Sequence, residues 1–267
     1  MDFVSVEDLL LRGSLWLAEE SEQSTPRAGQ AARTVAPFGV HTIDSALPQG
    51  GLPWGSVHEF FSVTPETQPA TLLCALAGNV MRAAQSSTTA APNKLVLWIG
   101  RECWPTPHVV AHALQNEATP ESFLSNAVFL DPPSIQMRLW AIELALRSPA
   151  VAAVIAPLQK LSFALTRRFA LAARDGGGMG FFMRPYKELA VRSAALSRWR
   201  VLSVVSEGIE PRWSISLCQF RNREMEKVEW IVEGLYEEGK ALSLHLLPPV
   251  VKRSAPAATV LKHIYAA

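Results

Sequence analysis

Cysteine is scarce in this chain: Cys74, Cys103 and Cys218 stand far apart among 267 residues. No C-x-x-C pair exists, so the common zinc and dithiol frameworks are excluded, and an odd count fits reduced thiols better than a disulfide scaffold. Long apolar runs are missing too. No segment reaches the roughly 18 consecutive apolar residues that a membrane span requires, and the first twenty residues lack the basic stretch and cleavage site of a secretory signal. A cytoplasmic protein with no membrane partner is expected. Charge is sparse at 18% and sums to +1, so the total implies neither an acidic nor a basic ligand. A G-x-S-x-G nucleophile motif is absent as well, and no catalytic constellation emerges. What the chain does have is apolar residues, 49% of it, enough for one large domain with accessory segments or two small domains.

The organisation follows from the pattern. Residues 1–20 read as an amphipathic helix. Ser5 with Asp8 resembles a capping box, and Val6, Leu9, Leu10, Gly13, Trp16 and Leu17 fall on one stripe. That stripe can dock on the main domain or on a partner. Residues 21–37 have almost no large aliphatic side chain and read as a linker, 38–245 as the core domain, and 246–267 as a flexible tail. Within the core, strands are predicted at 57–61, 95–99, 127–130, 151–156, 180–183, 199–205, 213–220 and 228–232. Helices are predicted at 69–85, 106–116, 133–147 and 162–174. Runs such as "LVLWIG" and "VAAVIAP" are apolar throughout, as parallel strands covered on both faces must be. The later strands follow one another with few helices. The expected fold is therefore α/β: a mainly parallel central sheet flanked by helices, with antiparallel strands towards the C-terminal end, plus the N-terminal helix.

The stretch "SVTPETQP", 62–69, stands where a Gly-rich turn, an apolar strand and a helix start would frame a phosphate-binding loop. Such a loop reads G-x-x-x-x-G-K-[ST]. Its glycines let backbone N–H groups wrap the phosphates, its Lys adds charge, and its hydroxyl residue holds magnesium. Here Ser62 and Thr67 replace the glycines, Gln68 the Lys, and Pro69 the hydroxyl residue. Pro65 and Pro69 lack N–H donors, and Glu66 brings negative charge to the place of the triphosphate. The strand that would end in a magnesium-binding Asp reads "VAAVIAPLQ". Glu102, after "LVLWIG", could pass for a water-activating carboxylate, but without a cradle it has nothing to act on. No cofactor is expected, and no ATP hydrolysis.

The run F-G-V-H-T-I-D-S-A-L-P-Q-G-G-L-P-W-G-S-V-H-E-F-F resembles the entrance of RecA-like recombinase cores, where a turn and an Asp precede "GGLPxGxxxE" and the first strand. The most specific pieces are G-G-L-P-W-G with Glu59, R-R-F-x-L-A-A from Arg167, and G-F-F-M-R-P from Gly180. Over roughly 37–233 the chain is similar to the RecA-fold branch that has lost its P-loop, which holds the ImuA proteins of translesion mutagenesis cassettes and the SulA cell-division inhibitors. Its length, N-terminal helix and basic C-terminal half look more like ImuA. The resemblance implies a non-catalytic RecA-like subunit of an SOS-induced mutasome. It would act beside an ImuB-like Y-family polymerase homologue and, indirectly, an error-prone DnaE-type polymerase; RecA, single-stranded DNA and a second copy of the chain are further candidate partners. A SulA-like inhibitor binding FtsZ is the alternative, against which the linker and the basic half count. An active recombinase is nearly excluded by 62–69.

Charge is unevenly spread. Between 160 and 227 there are 13 Lys or Arg against 6 Asp or Glu, whereas 1–25 hold six acidic residues and only Arg12. In "GFFMRPYKELAVRSAALSRWRV" a loop is expected over 184–193, equivalent by the resemblance to a loop that contacts single-stranded DNA. It carries Arg184, Lys187 and Arg192 with Tyr186 for stacking; Arg198 and Arg200 follow on one face of the next strand. These six residues are the candidate DNA or partner contacts, and Leu9, Leu10, Trp16 and Leu17 the candidate partner-binding stripe. His108 and His112 have a metal-ligand spacing but no third ligand. Gly176, Gly177 and Gly178 are read as a helix end, and Trp54, Trp140, Trp199 and Trp213 as core or platform residues.

Overall fold

A ten-stranded sheet organises the chain in a computed structural model, which describes residues 35–63, 69–85, 95–106, 109, 126–206, 208, 210–225, 228–235 and 243–247. In chain order the described elements are β1 (Val35–Ala36), α1 (His41–Ala46), β2 (Leu52–Pro53), β3 (Ser56–Ser62), α2 (Ala70–Gln85), β4 (Leu95–Ile99), β5 (Ala127–Leu130), α3 (Ile135–Arg147), β6 (Val151–Pro157), α4 (Phe163–Gly176), β7 (Met179–Pro185), β8 (Ser197–Val204), β9 (Arg212–Phe220), β10 (Arg223–Glu224), β11 (Trp230–Leu235) and β12 (Ser243–Leu246). The large sheet runs β12-β11-β9-β8-β3-β7-β6-β4-β5, with β10 paired to β9. From β8 to β5 every pairing is parallel; β8–β9, β9–β11 and β11–β12 are antiparallel. The expected α/β fold, parallel in its centre and antiparallel towards the C-terminal end, is the one found.

Strand β3 lies between β7 and β8, and all seven of its residues are buried. Alternation sends its side chains to two cores. Phe60 joins Trp98, Phe181 and Trp199 under Leu72, Leu76 and Val80 of α2. Val57 joins the second core with Phe182, under Ile142 and Leu146 of α3 and Phe169 and Ala172 of α4. Both of these latter helices are capped by serine hydroxyls: Ser134 Oγ accepts from the Met137 N–H and Ser162 Oγ from the Leu165 N–H, each at 3.2 Å. The Asp of the entrance motif has a structural task. Asp44 accepts the backbone N–H groups of Phe38 (2.7 Å) and Gly39 (3.1 Å) and so closes the turn before β2. At the end of α4, Gly177 adopts φ +74° and its N–H bonds to Ala173 O, the left-handed helix stop expected from the triple glycine. A Cβ on Gly176 would lie 2.1 Å from Leu146 O, so its missing side chain lets α4 approach the end of α3.

Several boundaries differ from expectation, and two matter for the site. The strand expected at 180–183 extends to Pro185, and the strand expected at 199–205 begins at Ser197. Arg184 and Arg198 therefore belong to strands rather than to a loop. Val35 and Ala36, expected in the linker, pair with Leu52 and Pro53, and Leu246, expected in the tail, belongs to β12. The N-terminal helix with Leu9, Leu10, Trp16 and Leu17 lies outside the described residues, as do nearly all of the 106–116 helix and the tail beyond Leu247.

Candidate functional site

Open parallel sheets bind ligands beyond the carboxyl ends of their strands. At that edge, a cleft of about 210 Å³ opens between the ends of β3, β6 and β7 and the start of α3. Its walls include Val63, Ile135, Leu158 and Met183, and Glu102 with Arg138 also line it. Ser62 is buried as the last residue of β3, and Pro69 is buried just before α2; Thr67 and Gln68 lie outside the described residues. Beyond β6, the position expected to lack an acid holds the buried Leu158 and the exposed Gln159. Glu102 is gripped by Arg138, whose Nη2 sits 3.1 Å from Oε2 and whose Nη1 donates to Oε1 at 3.3 Å. A guanidinium thus pairs with the carboxylate that the sequence offered as a water-activating candidate. Ser62, Gln159 and Arg184 also line the cleft, but Arg184 is held by Glu59 and Glu188, so both arginines of the lining are neutralised and the cleft suits a triphosphate poorly.

The strongest electrostatic feature lies beneath the run that joins β7 to β8. Glu59, wholly buried in the middle of β3, stands directly opposite Arg198 of β8. Its Oε2 accepts from Arg198 Nε at 2.9 Å, and its Oε1 accepts from Arg184 Nη1 at 2.6 Å and from Ser193 Oγ at 2.9 Å. Arg184 Nη2 donates on to Glu188 at 2.6 Å, whose other oxygen accepts the Lys160 N–H. Two guanidiniums and two carboxylates balance, and Phe61 offers its ring face 5.6 Å from Arg184 and 4.8 Å from Arg198. An unpaired charge here would be prohibitive; the closed group is tolerable because each charge has a partner and hydrogen bonds.

This geometry corrects two of the expected contact residues. Arg184 and Arg198 are 2% and 5% exposed and face Glu59, so they cannot reach a phosphate backbone. It also corrects the expected loop. Residues 186–196 are pinned by Glu188 and Ser193, by the Ala194 N–H on Thr166 Oγ1 (3.1 Å), and by the Leu196 N–H on Val57 O (2.8 Å). What remains on the outside is Tyr186, 39% exposed, with Lys187 and Arg192; Arg192 also lies 4.3 Å from the Phe163 ring centroid. Arg200 is half-buried and donates to Ser216 Oγ at 3.1 Å. The structure therefore groups Tyr186, Lys187 and Arg192 on one anchored turn and separates them from Arg184, Arg198 and Arg200. Among the tryptophans, Trp199 and Trp213 are core, Trp54 is half-buried, and Trp140 is exposed. His108 and His112 lie outside the described residues, and among the described residues no cluster could hold a metal ion.

On the opposite face of β3, His58 forms a closed chain. The Ser56 hydroxyl donates to Pro53 O (2.5 Å), so Ser56 Oγ must accept from His58 Nε2 (2.8 Å). The Trp199 indole donates to Ser197 Oγ (2.6 Å), whose proton in turn goes to His58 Nδ1 (2.6 Å). The ring is consequently neutral and Nε2-protonated, and burial pushes its pKa down to about 3. An unfolded histidine titrates near 6.5, so below that pH the unfolded chain takes up a proton that the folded chain refuses. This contribution to stability is complete above pH 6.5 and declines as pH falls towards 3, reaching a loss of about 2 kcal/mol at pH 5. Urea unfolding at pH 7.5 and pH 5 checks it: the drop is expected to be smaller by about that amount in His58→Gln, and equal drops would contradict the assignment.

No protein-family profile matches the chain. It is 28% identical over 203 residues to Protein ImuA of two Caulobacter vibrioides strains, an alignment covering 70% of this chain and 79% of theirs. Among solved structures it superposes on the RadB recombinase with a TM-score of 0.57 at 13% identity, covering 80% of this chain and all of that one. The fold is RecA-like, and the likeness to ImuA read from the motifs extends over most of the core. None of the described helices is long and apolar enough to cross a membrane.

Proposed function

We propose, starting from a RecA-like chain similar to Protein ImuA, that this protein is a non-catalytic accessory subunit in DNA-damage tolerance, an adaptor within a translesion-synthesis assembly in the cytoplasm. The observation that carries the reading is the carboxyl edge of the sheet. There the cleft has apolar walls, Glu102 is tied to Arg138, and Leu158 and Gln159 follow β6 where a metal-binding acid would stand. A RecA-like core so altered has the shape of a motor subunit without the parts that cycle a nucleotide. Its partners, on this reading, are an ImuB-like polymerase homologue and through it an error-prone DnaE-type polymerase, with RecA and single-stranded DNA as further contacts.

Any DNA contact falls on Tyr186, Lys187 and Arg192, the exposed members of the expected set. With only two cations the binding is weak and sequence-independent, and its salt dependence is shallow, a log–log slope of about −1.4. Fluorescence anisotropy with labelled single-stranded DNA is expected to show nucleotide-independent binding. Lys187→Glu together with Arg192→Glu removes it and flattens the salt dependence by about two phosphate contacts, with the thermal midpoint preserved. Retention of full affinity in that variant would move the contact elsewhere. Co-purification with the polymerase homologue tests the adaptor reading itself, and failure of the two to associate would contradict it.

A further inference from the structure

Among the described residues, three other than glycine adopt a left-handed backbone: Lys160, Arg221 and Asn222. Arg221 and Asn222 form the two-residue hairpin turn between β9 and β10, which calls for positive φ. Lys160, at φ +55°, has no hairpin to close. It stands in the turn from β6 to α4, where glycine would be the easier residue. A lysine kept where the backbone favours glycine points to a use for its side chain. The buried cluster holds its backbone: the Lys160 N–H donates to Glu188 Oε1 at 2.9 Å, while Oε2 of the same carboxylate accepts from Arg184 Nη2. Glu188 thereby ties the turn that bears Lys160 to the turn that bears Lys187 and Arg192. A second link lies alongside, where the Arg192 guanidinium sits 4.3 Å from the ring centroid of Phe163 in the first turn of α4.

The two turns make a surface of one sign. Lys160, Lys187 and Arg192 are exposed, and among the described residues none of the three has a carboxylate partner. Across 158–168 and 186–196 the only acid is Glu188, which is buried and already engaged by Arg184 and the Lys160 backbone. We propose that Lys160 is a third cation of a single-strand-binding surface that spans both turns. This rests on the reading that DNA contact falls on Tyr186, Lys187 and Arg192, and adds the β6–α4 turn to it. Cations whose turns hang on one buried carboxylate are placed before the ligand arrives, which lowers the cost of ordering them. The exposed Tyr186 ring and the half-buried Phe163 ring suit unstacked bases better than an acidic peptide. Three phosphate contacts in place of two steepen the log–log salt slope from about −1.4 to about −2.1.

Fluorescence anisotropy of a labelled oligothymidylate with the full chain tests this through Lys160→Gly, which removes the cation and suits the left-handed backbone. The expected result is a thermal midpoint within about 2 °C of the wild type, an affinity lowered roughly 5- to 10-fold at about 50 mM salt, and a slope returned to about −1.4. Lys160→Arg keeps the charge and should keep the wild-type affinity and slope. Wild-type affinity and slope in Lys160→Gly overturn the proposal; if Lys187→Glu with Arg192→Glu still abolishes binding, the reading beneath it survives. A wild-type chain that does not bind the oligonucleotide overturns both. Displacement by polyglutamate as readily as by unlabelled oligonucleotide of equal charge overturns the nucleic-acid assignment in favour of an acidic protein partner.

Discussion

Replacing Glu59 with glutamine should lower the unfolding free energy by about 3–5 kcal/mol and the thermal midpoint by roughly 10 °C. The substitution changes almost no volume; what it removes is the negative charge on which two buried guanidiniums converge. Arg184 would keep the Glu188 carboxylate, but Arg198 would be left with only Gln219 Oε1 and the Glu188 carbonyl, one surplus positive charge in a site from which water is excluded. Arg184→Met should be comparably harmful, since it leaves Glu59 with one cation and unties the crossing run 186–196 from β7 at Glu188. Charge alone would rank Arg184, Lys187, Arg192 and Arg198 as equals. The structure ranks them otherwise: Lys187→Ala and Arg192→Ala should leave the midpoint almost unchanged. Because the cluster is buried, added salt should not narrow that gap. Replacing Glu59, Arg184 and Arg198 together by apolar residues should recover part of the loss, as removal of a whole buried ion group often does. Thermal unfolding followed by circular dichroism measures all of these, and a Glu59→Gln midpoint within about 2 °C of the wild type would show that the cluster is not closed in solution.

Much of this architecture is legible in the chain because burial on both faces leaves a plain signal. "VAAVIAP" and "LVLWIG" have no polar side for solvent, so they had to be central parallel strands, and Trp213 to Phe220 alternates apolar with small polar residues as antiparallel strands do, although Ser214 and Ser216 are buried too. The serine caps of α3 and α4 and the stop at Gly177 follow from local chemistry. The site was harder to read. Counting charges along 160–227 treats every arginine as surface, whereas an arginine two residues past an apolar run can still be inside the sheet. The clue lay in a distant segment: Glu59, a lone carboxylate within "SVHEFFS", is buried on both sides by aromatic neighbours and needs a cation, and nothing local supplies one. The cations come from strands more than 120 residues away, and only the placing of β3 between β7 and β8 brings them together. Likewise, the helical period of α3 marks Met137, Trp140 and Leu144 as apolar but does not say which of its two apolar sides meets the sheet.

The central claim concerns the carboxyl edge of that sheet. A working P-loop holds a triphosphate through successive backbone N–H groups, one lysine and a magnesium-bound hydroxyl. Here Ser62 is buried at the end of β3, Pro69 has no N–H to offer at the start of α2, and the residues between them include a second proline, a glutamate and no cation. The adjoining cleft is walled by Val63, Ile135, Leu158 and Met183, and both arginines in its lining are engaged, Arg138 by Glu102 and Arg184 by Glu59 and Glu188. Titrating the full chain with a fluorescent ATP analogue in the presence of magnesium tests this most directly. The account predicts no saturable binding below about 1 mM, at least about 1,000-fold weaker than a micromolar nucleotide site, or roughly 4 kcal/mol. Saturable micromolar binding that unlabelled ATP displaces would contradict it, and would mean that residues 62–69 cradle phosphates by a geometry other than the glycine loop.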